Sequence, residues 1–134
     1  MTTLKSSSKT LNIILWIAQV FLAAMFFIAG SLKTFSPISE LVTKGMDYGT
    51  ILTRFIGISE LSGAVGLILP ALLRIKPVLT TWAAVGIAVI MVLAIGYHIM
   101  QNDFAHIGMP ALLGLIAVFI AWGRYKKVPI LTKA

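Results

Sequence analysis

The sequence predicts an all-α fold, a transmembrane four-helix bundle with both termini in the cytoplasm. Three observations lead there. Hydrophobic residues make up 59% of the 134 residues and charged residues only 11%, against roughly 25% charged in ordinary soluble domains. The apolar residues fall in four long runs without the alternation of barrel strands, and in lipid such segments satisfy their backbone only as helices. Eight of the eleven Lys and Arg residues flank these runs on one side.

Residues 1–10 are polar and rich in Ser, Thr and Lys, which predicts a short flexible tail. A transmembrane domain is expected over 11–125 and a basic tail over 126–134. The first span, 11–33, covers roughly 30 Å at 1.5 Å per residue, enough to cross the hydrocarbon. It exceeds the roughly 7–15 apolar residues of a cleaved signal. In the following loop, Ser36-Pro37 reads as an N-cap with a first-turn proline. A short surface helix is expected from Pro37 to about Lys44, punctuated by Gly45 and Gly49.

The second span, 51–73, is interrupted by Arg54 and Glu60, and Pro70 is expected to bend or end it near Leu69. The third, 78–100, carries no formal charge and stops at Gln101-Asn102-Asp103. The fourth, 108–125, places Pro110 in its first turn. Lys5, Lys9, Arg74, Lys76, Arg124, Lys126, Lys127 and Lys133 share one side and belong inside. Lys33, Lys44 and Arg54 share the other with Glu40, Asp47 and Asp103. Trp16, Trp82 and Trp122 fall toward the inner interface; Phe35, Tyr48, Tyr97 and Phe104 fall toward the outer one.

The formal charge of +7 reads as a topology signal, since the basic residues cap apolar runs and form no nucleic-acid stripe. With no cysteine, thiol catalysis, thiolate zinc and cysteine-ligated clusters are excluded. No phosphate loop, nucleophile elbow or zinc-protease motif is present.

Ionisable groups inside a span cost roughly 2.5–3.5 kcal/mol on insertion scales and usually face the bundle interior. Glu60 is the foremost of these. Gly57, Gly63 and Ala64 share its face, and Ser59-x-x-x-Gly63 and Ser62-x-x-x-Gly66 repeat the small-residue signal of close helix contact. Lys33, at the outer end of the first span, either snorkels to the headgroups or pairs with Glu60; pairing is the preferred reading. His98 ends the third span on the same side. Lys33, Glu60 and His98 are therefore the ligand or proton-site candidates. Gln19 is a secondary candidate, extending this polar track inward or making a helix–helix hydrogen bond. Asp103 and His106 are further secondary candidates in the last outer loop. Their spacing matches no metal motif, and no metal is expected.

Gly30-Ser31-Leu32-Lys33, the stretch Gly57-Ile58-Ser59-Glu60-Leu61-Ser62-Gly63-Ala64-Val65-Gly66-Leu67-Ile68-Leu69-Pro70, and Met91, Ala94 and His98 resemble the DoxX-like family. The resemblance covers about residues 11–125, and the second-span stretch is its most specific part. It implies a small four-helix membrane protein tied to quinone or redox chemistry. That family takes its name from a terminal quinol oxidase subunit. Its relatives include a thiosulfate:quinone oxidoreductase subunit, a partner in a bacterial oxidative-stress complex and an animal receptor-assembly chaperone.

The leading expectation is a redox-associated or quinone-interacting membrane subunit with a polar pocket in the outer half of the bundle. It carries no intrinsic cofactor; quinone is the expected ligand. Two alternatives stay open: a proton-coupled small-solute transporter using Glu60, and a non-enzymatic scaffold or assembly factor. Expected partners are the lipid bilayer, a membrane or redox-enzyme subunit, and a second copy docked through small-residue helix faces.

Overall fold

The computed structural model describes residues 2–44 and 48–132, with side chains from residue 8 onward. The expectations for Gly45, Asp47, Lys133 and the Lys5 side chain lie outside the described residues. Four long helices, α1 (Thr2–Phe35), α3 (Thr50–Leu73), α4 (Val78–Met100) and α5 (Gly108–Trp122), form the bundle, and a short α2 (Ile38–Thr43) follows α1. A 3-10 turn (Phe104–His106) leads into α5, and a π-turn (Gly123–Lys127) ends it. Four segments are long and apolar enough to cross a membrane: Ser8–Phe35, Thr50–Leu73, Val78–Met100 and Phe104–Lys127. The helices pack as a ring, α1 on α3, α3 on α4, α4 on α5, with α5 closing on α1.

Each helix buries one stripe at steps of three or four, the spacing of one helical face. In α1 the stripe is Leu15, Gln19, Leu22, Phe26, Gly30 and Lys33. In α3 it is Thr53, Gly57, Glu60, Ala64, Leu67 and Ala71. In α4 it is Thr80, Ala84, Ile87 and Met91; in α5 it is Leu113, Ala117 and Ile120. The opposite faces expose Phe27, Ile28, Phe55, Val89, Leu93 and Leu115, as a lipid-facing surface requires. The middle of the bundle is an apolar cluster around Leu22, Phe26, Leu67, Ile87 and Ala117.

The helices α1 and α3 approach each other closely. A Cβ placed on Gly57 would lie 2.6 Å from Thr34 Oγ1 and 2.8 Å from Lys33 Cβ. One placed on Gly30 would lie 2.8 Å from the Gly57 carbonyl oxygen. The two glycines thus let the backbones touch. Gly63 meets Ile87 and Gly66 meets Ala83, both on α4. Gly30, Gly57, Gly63 and Gly66 are thus used in helix contacts within the chain.

Several local expectations differ from the structure. The polar segment expected as a tail is helical from Thr2, because no Gly or Pro interrupts the chain before Gly30. Ser36 makes no cap; Pro37 occupies the N-cap position of α2 without a side-chain hydrogen bond. Gly49 precedes α3 with φ 99°, a left-handed conformation suited to glycine. The helix α3 runs through Pro70 to Leu73. Proline leaves the Gly66 carbonyl without its helical donor, but packing and nearby polar groups sustain such breaks in membrane helices. Here the Gln19 amide donates to the adjacent Leu67 carbonyl at 2.7 Å. Arg74, at φ 56°, then ends α3 in the left-handed conformation.

Gly57→Leu is expected to push α1 from α3 and lower stability by about 1–3 kcal/mol, the range for overpacking. Gly86→Ala, where nothing lies within 4 Å of the new Cβ, is the control, expected within about 0.5 kcal/mol of the parent. Thermal unfolding in a mild detergent measures both.

Candidate functional site

The Lys33 ammonium lies between the two Glu60 oxygens, 2.9 Å from Oε1 and 3.1 Å from Oε2. Both side chains are almost fully buried, at 11% and 4% exposure. Stripe position brings them together: each ends or interrupts an apolar face that already points inward. Lys33 therefore does not snorkel. Arg54 supports the same corner, donating from Nη1 to the Lys33 and Thr34 carbonyl oxygens at 2.9 and 2.8 Å. Those carbonyls belong to the last turn of α1, which lacks helical donors and carries the negative end of the helix dipole.

His98 makes a different contact. Its Nδ1 lies 3.2 Å from Asp103 Oδ2, and His106 Nδ1 lies 2.7 Å from Asp103 Oδ1. An ionised carboxylate only accepts, so both imidazoles donate from Nδ1–H and keep Nε2 as the other ring nitrogen. The hydrogen bond from His106, foremost, holds the Asp103 carboxyl below its usual range. Among the described residues no group of three or more His, Cys, Asp or Glu is placed to hold a metal ion.

Lys33, Glu60 and His98 all line one cavity of about 530 Å³. Its wall is otherwise apolar, with Met25, Phe26, Ile90, Met91 and Leu113, but it also carries Tyr48, Tyr97 and Ser59. Tyr48 and Tyr97 meet edge to face, with ring centroids 4.9 Å apart. Burial, then the nearby Glu60 charge, push the Tyr48 phenol above its usual value, so it stays an O–H donor at neutral pH. Leu52, Phe55, Leu93 and Met109 line the cavity and are exposed on the apolar flank. The mouth therefore faces lipid.

Gln19 belongs to a second polar layer, separated from Lys33 by the buried Leu22 and Phe26. It does not extend the outer track. Its Oε1 accepts from Arg124 Nε at 2.6 Å while its amide donates to Leu67. Arg124 Nη1 also donates to Asn12 Oδ1 at 2.7 Å, and the guanidinium lies 5.5 Å from the Trp16 ring centroid. The α5 stripe 113, 117, 120 continues to 124, a spacing that marks Arg124 as inward-facing; read only as part of a basic tail, it is missed. The π-turn and Gly123, whose Cβ would strike Leu15, bring it in.

Four apolar spans joined by buried polar contacts define a multi-pass membrane bundle. The sequence pattern of the DoxX-like family matches residues 17–120, and the chain belongs to that family. No curated protein and no solved structure matches it.

Asp103→Asn, which keeps one acceptor oxygen and loses the charge, is expected to free one imidazole, weaken the hold on the other and speed amide hydrogen exchange across 103–107. A group with a lowered folded pKa contributes stability that is present above its unfolded value and lost as pH falls through the folded one. In the parent, exchange of this loop, corrected for intrinsic rates, should thus hold steady from neutral pH down to the usual carboxylate range. It should rise only below that range. Hydrogen-exchange mass spectrometry against pH reads both effects.

Proposed function

We propose that this protein is a redox-associated component of the cell membrane that takes a lipophilic ring of the quinone class into the cavity beside Lys33 and Glu60. The observation that carries this reading is the buried ion pair on the wall of a lipid-open cavity that also presents Tyr48, Tyr97 and His98. Membership of the DoxX-like family supports it. The positive-inside rule puts the termini in the cytoplasm and the cavity in the outer half.

The cavity suits such a ligand in size and chemistry. Small-molecule sites occupy about 300–1,000 Å³ and pair apolar walls with a few convergent polar groups. A bound quinone would supply reversible two-electron, two-proton carbonyl chemistry. The chain binds and orients. Tyr48 donates a hydrogen bond to a ring oxygen, and the His98 ring, positioned by Asp103, offers its second nitrogen as a proton acceptor or donor. Lys33 and Glu60 hold α1 against α3 and give the wall a fixed dipole. The aromatic and Met side chains exclude water.

The position of the pair at the close α1–α3 contact favours a second reading, a scaffold in which these groups serve packing alone. A proton-coupled transporter fits less well, because Lys33 engages both Glu60 oxygens and its positive charge disfavours a cationic solute beside them.

A short-chain ubiquinone added to the protein in nanodiscs is expected to bind saturably. Ala94→Phe, which fills the cavity without touching the ion pair, should abolish binding. Tyr48→Phe should weaken it about fivefold, the loss of one net hydrogen bond. Absence of saturable binding by the parent, or equal binding by Ala94→Phe, would favour the scaffold.

A further inference from the structure

The end of the bundle that carries both termini holds a buried cation without a counter-charge among the described residues. Arg124 is 4% exposed. Its three hydrogen-bond acceptors, Gln19, Asn12 and the Val128 carbonyl, are all neutral. Its Nη2 is buried and has no acceptor. The described acidic residues, Glu40, Glu60 and Asp103, all lie in the opposite half. A buried guanidinium held only by neutral groups is costly unless an anion completes it.

Arg124 also forms part of the wall of a second cavity, about 290 Å³, together with Lys76, Thr81, Tyr125 and Thr132. Segment 128–132 contributes Pro129, Ile130 and Thr132 to this wall. It is drawn back over the α3–α4 turn by Arg74, whose Nε donates to the Leu131 carbonyl at 2.9 Å. The wall thus combines the Arg124 guanidinium, of which only Nη2 is left without an acceptor, the Lys76 ammonium and two hydroxyls. A guanidinium N–H and an ammonium both make charge-assisted hydrogen bonds to phosphate oxygens. Basic pockets between helices at the cytoplasmic interface suit anionic headgroups.

We propose that this cavity is a phosphate-binding site, in which Arg124, Lys76 and the Thr81 and Thr132 hydroxyls hold a phosphate group at the inner membrane interface. Two sources share that chemistry: the headgroup of an anionic phospholipid, and a soluble phosphate. The site is independent of the outer cavity, so it stands or falls apart from the quinone reading.

The test uses the full chain in an uncharged detergent at constant ionic strength. Binding of phosphatidylglycerol, of inorganic phosphate and of diacylglycerol, which has the same chains and no phosphate, is measured by native mass spectrometry and by thermal shift. Saturable binding of phosphatidylglycerol but not diacylglycerol is expected. Lys76→Gln, on an exposed turn, should weaken it about fivefold. Arg124→Lys, which keeps the charge and loses the unpaired Nη2 donor, should weaken it further. Lys44→Gln, at the opposite end, should leave it unchanged. If inorganic phosphate displaces the lipid, the site serves soluble phosphates as well; if phosphate alone binds, the source is soluble. Equal binding of diacylglycerol, equal loss in Lys44→Gln, or no loss in Lys76→Gln and Arg124→Lys together would overturn the site.

Discussion

A lysine and a glutamate that meet away from water set the terms for the rest of this bundle. In hydrocarbon neither charge is tolerable alone, and each makes the other's burial possible. Their contact needs the α1 and α3 backbones to touch, which Gly30 and Gly57 permit. It fixes the register of these helices, because a slip of one residue turns Glu60 away by about 100°. It also fixes one wall of the outer cavity. Packing, register and candidate chemistry thus share one constraint.

A second polar knot stands at the other end. Lys33 and Gln19 are fourteen residues apart on α1, about 21 Å along the axis. Leu22, Phe26 and their neighbours on α3, α4 and α5 fill the space between. The bundle is therefore pinned near both membrane faces and apolar in the middle. At one end the charges are balanced within the chain and open onto a lipid-facing cavity. At the other they are all positive among the described residues, which is where we place the phosphate. That asymmetry follows from the placement of only four acidic residues in the sequence.

The four spans were legible because lipid leaves the backbone no alternative to helices and because each run has the right length. Glu60 and Lys33 were legible as an inward-facing pair because an ionisable residue on a small-residue face has few places to go. Arg124 was not, since a basic residue beside Tyr125, Lys126 and Lys127 looks like a topology signal. Only the stripe spacing from Leu113 through Ile120 distinguishes it. Pro70 was legible in part: the span to residue 73 agrees with the structure, whereas an end near Leu69 does not, because packing carries α3 four residues further to Leu73. The opening polar segment misled because composition speaks to solvation and not to helical continuity. The outer cavity itself, formed by four helices and the loop at Tyr48, has no signature in any single stretch of chain.

The most direct measurement is a double-mutant cycle on Lys33→Met and Glu60→Gln, read as unfolding free energy in the same detergent or bicelle. If the pair is the central constraint, each single change destabilises by about 3–5 kcal/mol, because it strands a buried polar partner. The double change should then recover most of that loss, giving a coupling of at least about 2 kcal/mol. Single changes that cost little, or two losses that simply add, would contradict the account and leave the helix register to the glycines alone.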